Sequence, residues 1–270
     1  MINQIRGLIK YRHLLWDLAI KDIKVRYRSP ALGFLWAVIM PLVMVLIFKF
    51  VFSTIMKSEI EKYPFFVYLM TAVFPWTYFS SSVGAASESI VNNHNLIKKT
   101  YFPREIIPVS VVLANLINFI PALVVMLLML AFFRTQFTIL LFLLPFVIFL
   151  QTIFTIGLAL IVSSLQVILR DVKYMVELLL MAWLYFSPAF YSLATVANFS
   201  EGLLRLYIFN PFVGLFTLYR IVFLKGYAQT LPHSIDIRFL LIWTIAACIG
   251  TFLLGLSVFK KYEQTFSDLI

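Results

Sequence analysis

Long uncharged apolar runs alternate along the chain with short clusters of Lys and Arg. Six runs reach the roughly 20 residues that a helix needs to cross a bilayer. They are Ala31–Met56 (interrupted only by Lys49), Pro64–Ser87, Ile106–Phe133, Thr135–Leu169, Leu178–Ser200 and Phe239–Phe259. Thr135–Leu169 is 35 residues, longer than one crossing requires and too short for two plus a turn, so it predicts one long span. A further run, "LYIFNPFVGLFTLY" between Arg205 and Arg220, holds only 14 residues and carries Asn210-Pro211 near its middle. Runs that short are re-entrant or interfacial, and proline breaks a helix at its own position and restricts the residue before it. The expectation is two half-helices dipping into the outer leaflet. The alternative is a lipid-facing surface helix.

The first 30 residues follow a different period. Arg6, Lys10, His13, Asp17, Lys21, Lys24 and Arg28 recur at spacings of three and four, which places them on one helical face. Ile5, Leu8, Ile9, Leu15, Trp16, Ala19, Ile20, Ile23 and Tyr27 cluster on the other. This pattern predicts a basic amphipathic helix along the membrane surface, ended by Pro30. It serves either as a plain anchor or as a sliding element that also borders a partner.

Composition fixes the class. Hydrophobic residues make up 62% and charged residues 13%, with a mean hydropathy of +0.97, against about 45–50% and 25% in soluble domains. The chain is expected to be an all-α integral membrane protein. It forms a single domain over 1–270: an interfacial helix at 1–30, six spans within 31–259 and a tail at 260–270. The 22 Lys and Arg outnumber 12 Asp and Glu. In this setting the excess points to anionic membrane lipid and not to nucleic acid. Most cations fall on one side of a six-span topology: the seven of the first 30 residues, Lys98, Lys99, Arg104, Arg170, Lys173, Lys260 and Lys261. The positive-inside rule therefore places both termini in the cytoplasm. No cleavable signal is expected at the N-terminus. Cys248 stands alone, so no intrachain disulfide forms.

The chemistry of sites is sparse. No Gly-Lys pair occurs, so there is no phosphate loop, and a nucleotide driving this chain must bind elsewhere. Neither HExxH nor CxxC is present. His13, His94 and His233 are scattered, so no metal site and no catalytic residue is expected. Lys49 and Glu177 are the only ionisable candidates near spans, and both sit near span ends. The spans are expected to be a conduit without their own coupling chemistry.

Four stretches carry a resemblance. "KDIKVRYRSPALGFLWAVIMPL" is similar to the entry helix and first span of the membrane subunits of type-2 ABC transporters. "FPWTYFSSSVGAASESIVNNHNLIKKTYFPREIIPVS" is similar to their second span and following cytoplasmic helix. "LRDVKYMVELLLMAWLYFSPAFYS" resembles their fifth-span region, and "LYIFNPFVGLFTLYR" their outer gate. The branch resembled is the permease of polysaccharide exporters, which carry O-antigen, capsule or wall teichoic acid. "NLIKKTYFPRE" and "RDVKY" are the most specific pieces.

The resemblance implies a coupling helix at Asn95, Leu96, Ile97, Lys98, Lys99, Tyr101, Phe102, Pro103 and Arg104, docking on a separate ATPase. Local physics agrees. Asn95 is a helix-capping residue type, Ile97 and Tyr101 make an apolar ridge one turn apart, and Pro103 stops the helix. A plain positive loop is the alternative. Arg170 and Asp171 are implied as a second contact near the motor, or as a local pair fixing the turn, and Asn210, Pro211 and Phe212 as the outer gate. The implied assembly is a homodimer of this chain with two ATPase copies, which bind the ATP and magnesium. Its implied cargo is a lipid-linked polysaccharide crossing the bacterial inner or plasma membrane. Among 46 aromatic residues (28 Phe, 13 Tyr, 5 Trp), Trp76, Tyr78, Phe79, Trp183, Tyr185 and Phe186 are candidates to line the conduit. A lipid-facing role competes for each. A type-2 exporter of a drug, lipid or other small molecule is the rival function. A membrane transferase is disfavoured because no acid–base cluster is found.

Overall fold

The computed structural model describes residues 2–27, 35–55, 63–100, 102–133 and 139–266. Every regular element among them is helical. Two N-terminal helices, α1 (Ile2–Lys10) and α2 (Arg12–Tyr27), meet at Tyr11, so the predicted single amphipathic helix is a jointed pair. Arg6, Lys10, His13, Asp17, Lys21 and Lys24 are exposed, in line with the predicted polar face. The opposite face is narrower than expected. Leu18 and Ala19 are buried in α2, whereas Trp16 stays half exposed. Arg28 and Pro30 lie outside the described residues.

The apolar runs become α3 (Trp36–Lys49, continued as a π-helix over Phe50–Ile55), α4 (Phe65–Ser87), α7 (Ile106–Phe132), α8 (Leu144–Ile168), α9 (Val172–Tyr185) and α13 (Ile237–Glu263). Between α4 and α7 lie two short helices, α5 (Ser89–Asn92) and α6 (His94–Lys99). After α9 come α10 (Leu193–Phe199), α11 (Glu201–Tyr207) and α12 (Pro211–Phe223). Among the described residues four helical segments are long and apolar enough to cross a membrane, Val38–Ile55, Ile106–Phe132, Ile139–Ile168 and Ile237–Glu263, and the bent pair α11–α12 makes a fifth if it is taken as one span. The chain is a multi-pass, all-helical membrane protein.

Two of the six predicted spans fall short of that standard. Helix α4 has the length, but its Ser, Thr and Tyr residues dilute it. It needs little lipid contact, because it sits at the centre against α3, α7, α8, α9 and α12, with most of its side chains buried. The predicted fifth span, Leu178–Ser200, is not one helix. It stops at Tyr185, turns through Phe186–Ser192 and resumes as α10. Pro188, which cannot continue a helix and disfavours helical geometry in the residue before it, accounts for the stop.

Helices α8 and α13 make the closest pairing, and glycine permits it. A β-carbon on Gly157 would lie 2.6 Å from the Thr251 carbonyl oxygen, and one on Gly255 would lie 2.8 Å from the Gly157 α-carbon. A β-carbon on Gly214 of α12 would run into the Thr244 side chain of α13. In lipid no hydrophobic force drives helices together, so backbone approach through small residues supplies the packing. Gly157→Val or Gly255→Val meets immovable backbone and should destabilise the fold by about 1–3 kcal/mol or more. Thermal unfolding of the detergent-purified protein reads this out. Gly84→Ala, with nothing within 4 Å, is the control and should leave the midpoint unchanged.

Candidate functional site

Between α4 and α7 the described residues of 89–105 form a short helical knob. Its root is apolar: Ile90, Ile97, Phe102, Ile106 and Ile107 pack with Leu18 of α2 and with Leu256, Phe259 and Phe266 at the far end of α13. Polar ties fix the same module. Arg104 Nη1 donates to the Glu263 carbonyl at 2.6 Å, and a β-carbon on Gly7 would touch Pro103 at 3.1 Å. Lys173 Nζ bonds Glu88 Oε1 at 2.9 Å, joining the start of α9 to the end of α4. This hydrogen bond and the Glu88 charge push the Lys173 ammonium above its ordinary pKa.

Two details depart from expectation. Asn93, not Asn95, occupies the position that caps α6. Ile97 is 8% exposed and faces the root, so it is not part of an outward ridge. The reason is helical phase: with α6 starting at His94, its inward face falls on Ile97. The outward surface is polar and basic, formed by His94, Asn95, Lys98, Lys99 and Thr100, with Leu96 half buried. Tyr101 lies outside the described residues. The helix ends at Lys99, with Thr100 extended (φ −136°, ψ 138°), before Pro103 is reached.

Arg170 and Asp171 are exposed on the turn between α8 and α9. Gln166 fixes that turn. Its Nε2 donates to the Arg170 carbonyl at 2.8 Å, and its Oε1 accepts from Lys173 N at 2.7 Å. No local Arg–Asp pair is needed, and both side chains face outward.

At the opposite end, α11 and α12 meet at 88° around Asn210-Pro211. Pro211 takes the first turn of α12, where its missing N–H costs nothing. Asn210 caps that helix through Phe212 N at 3.0 Å and also accepts from Trp183 Nε1 at 3.0 Å. Its amide donates to the Phe186 carbonyl at 3.0 Å and to Ser187 Oγ at 3.1 Å. One carboxamide therefore locks α12 onto the end of α9. Phe212 is fully buried beneath it. Its ring centroid lies 4.7 Å from Trp76, 4.6 Å from Phe79 and 5.3 Å from Trp183.

Sequence reasoning missed Arg220. It was expected at the outer surface, yet it is fully buried. Its guanidinium stacks on the Tyr68 ring at 3.7 Å and donates from Nη2 to the Pro188 carbonyl at 2.6 Å and the Ala189 carbonyl at 3.3 Å. These carbonyls belong to the break after α9, which no pattern in the α12 stretch reveals. Lys49, unexplained by its sequence neighbourhood, is exposed with its ammonium 5.8 Å from the Phe66 ring.

The six aromatic candidates separate. Phe79 is fully buried between Phe154, Trp183 and Phe212 and lines no cavity described here. Tight ring packing removes it from any surface. Trp183, Tyr185 and Phe186 line an apolar outer cavity of about 780 Å³ shared with Tyr191, Tyr207 and Asn210. Trp76 and Tyr78 border a separate slot of about 550 Å³ between α2, α3, α4 and α7. Among the described residues no cluster of His, Cys, Asp and Glu is able to hold a metal ion.

The ABC-2 type transporter family matches residues 13–224. The O-antigen export system permease protein RfbA of Myxococcus xanthus is 33% identical over 272 residues, covering 100% of both chains. Two proteins of the same description from Klebsiella pneumoniae are 32% and 30% identical, each across 95% of this chain and 96% of its own length. With a family match over residues 13–224 and such identity along nearly the whole chain, the protein belongs to the ABC-2 type transporter family.

Proposed function

We propose that this chain is the membrane half of an ATP-driven exporter that moves a lipid-linked polysaccharide out of the cytoplasm. The observation that carries this reading is the full-length similarity to O-antigen export permeases. No Gly-Lys pair occurs in the sequence, so ATP and its magnesium belong to a separate subunit.

The working assembly is two copies of this chain around a two-fold axis with two copies of the ATPase. The knob at residues 89–105 is the coupling element. Its apolar root makes it move as one body with α2, α7 and α13, and its basic crest, Lys98 and Lys99, meets the motor. Arg170 and Asp171 form a smaller contact on the same side. Nucleotide that binds the closed motor more tightly than the open one draws the knobs together and shifts the permease between states. The aromatic outer cavity gives sugar rings flat faces to pass over, with Asn210, Pro211 and Phe212 as its gate.

Six spans with both termini cytoplasmic follow from counting α9 together with the turn after it as one crossing and taking α11–α12 as re-entrant. Helix α12 has 13 residues, about 20 Å at 1.5 Å per residue, short of a hydrocarbon core of roughly 30 Å. The bend at Asn210-Pro211 turns the chain back to the side it came from.

Three outcomes follow from this reading. The purified chain alone should hydrolyse no ATP, and robust intrinsic turnover would rule out a separate motor. Lys99→Glu reverses a crest charge and should cut co-purification with the ATPase roughly three- to tenfold, with membrane insertion intact; equal recovery would assign the knob a passive anchoring role. In a Cys248→Ser background, an impermeant thiol reagent on intact cells should label cysteines at Arg205 and Lys225 but not at Lys260. Labelling at Lys260 would make α11–α12 a true span.

Arg220→Met removes two charge-assisted hydrogen bonds, each worth about 1.5–3 kcal/mol. It should lower thermal stability and expose a cysteine placed at Ala189 to labelling. Arg220→Lys should restore only part of this, since an ammonium lacks the planar fork. Unchanged protection at Ala189 would show that Arg220 does not hold the break shut.

A further inference from the structure

The slot bordered by α2, α3, α4 and α7 holds a polar group that no protein atom satisfies. Asn118 of α7 is nine-tenths buried, and neither its Nδ2 nor its Oδ1 has a hydrogen-bond partner among the described residues. One turn nearer the cytoplasm, Asn115 is fully engaged. It donates to the Val111 carbonyl at 2.9 Å and accepts from Arg26 Nη1 at 2.7 Å. Both asparagines and Arg26 line the same cavity of about 550 Å³. Counting from Ile106, they stand about 14 and 18 Å along α7. The exposed guanidinium of α2 marks the mouth, and the unpaired carboxamide marks the depth.

The walls differ in character. Met40 and Met44 of α3 make an apolar side, and Met40 is 58% exposed on a helix that buries little of its surface. Across from them stand the hydroxyl side chains of α4 and the ring of Tyr78, which stacks on Phe119 at 5.2 Å. The Tyr78 hydroxyl is already spent on Thr152 Oγ1 at 3.0 Å, so it does not serve Asn118. A buried amide lacking both a donor and an acceptor partner carries an uncompensated desolvation cost at each unmet group. A ligand hydroxyl, which donates and accepts at once, meets both needs.

We propose that this slot receives, head first, the phosphate and first sugar of a lipid-linked glycan. The phosphate rests at Arg26, the sugar hydroxyls reach Asn118, and the lipid tail leaves past Met40 along α3 into the bilayer. A phospholipid whose headgroup carries no hydroxyl leaves the amide unpaired in this order, and phosphatidylglycerol, whose headgroup glycerol has two hydroxyls, is the competing occupant that the test separates. The inference deepens the export reading and takes its ligand class from it, but its test measures binding without transport.

The full chain, purified with its motor subunits without nucleotide in neutral-lipid nanodiscs, is titrated by native mass spectrometry. The probes are a polyprenyl phosphate carrying one sugar, the same lipid without sugar, and phosphatidylglycerol. Asn118→Leu should weaken the sugar-bearing lipid about tenfold, as for one lost hydrogen bond, and leave the sugar-free lipid within about twofold. Arg26→Gln also removes the hydrogen bond to Asn115; it should weaken both polyprenyl lipids, and its unfolding midpoint is measured alongside to show that the chain stays folded. The unfolding midpoint of Asn118→Leu should equal or exceed that of the parent, because an unpaired polar group is removed. Unchanged binding of the sugar-bearing lipid overturns the proposal. So does a lower midpoint with equal loss of both polyprenyl lipids, or phosphatidylglycerol binding as tightly and with the same dependence on Asn118. In those cases the export reading stands or falls separately, on the ATP turnover and topology measurements.

Discussion

A helix broken inside an apolar layer leaves backbone carbonyls and amides that water cannot reach, and each must find a partner within the protein. Two of this chain's helix breaks, after Tyr185 and before Pro211, lie at the end opposite the knob. The two breaks satisfy one another. Asn210, at the second break, bonds Phe186 and Ser187 of the first. Arg220, two and a half turns further along α12, takes the carbonyls of Pro188 and Ala189. Tyr68 of the central helix covers the guanidinium face and donates to the Tyr191 carbonyl at 3.0 Å. The two breaks are thus joined by hydrogen bonds into one unit that rests on α4.

The inner end is built on the opposite principle. There the helices are short because charge and water are at hand. What gives the knob its stiffness is an apolar root shared with α2 and α13. The same root joins the knob to α7 through Ile106 and Ile107. Through α4, which begins beside the outer unit and ends at Glu88 beside the knob, one helix touches both ends. Its buried middle is tied to its neighbours by a polar chain. Tyr219 of α12 donates to Gln151 Oε1 at 2.5 Å, and Gln151 Nε2 donates to the Pro75 carbonyl at 2.7 Å. That chain links α12, α8 and α4 at the level of the aromatic cluster.

Much of this was legible from hydropathy alone. The runs that became α4, α7 and α13 matched their helices within a few residues, because an uncharged stretch of bilayer length has one stable solution in lipid. The predicted fifth span is interrupted after Tyr185, because Pro188 restricts the backbone whatever the hydropathy of its neighbours. Arg220 was misplaced for a related reason. A cation at the end of an apolar run reads as a boundary, and only the three-dimensional nearness of two orphan carbonyls makes burial worthwhile. The knob was found by its resemblance and its charge. The inward turn of Ile97 was hidden, because a phase error of one residue in so short a helix swaps its faces.

Two buried amides show what such packing can and cannot complete. Gln151 spends its carboxamide on Tyr219 and Pro75, and both ends are met inside the protein. Asn118 lies in the same helical bundle and is buried nearly as deeply, yet it meets nothing. If an amide at this place served packing alone, leucine of similar volume would serve better, since it carries no desolvation cost. Local rules agree with one another through most of α7, and they fail at this residue beside a cavity with a guanidinium at its mouth. Departures of that kind concentrate where a protein gives up stability to hold something else.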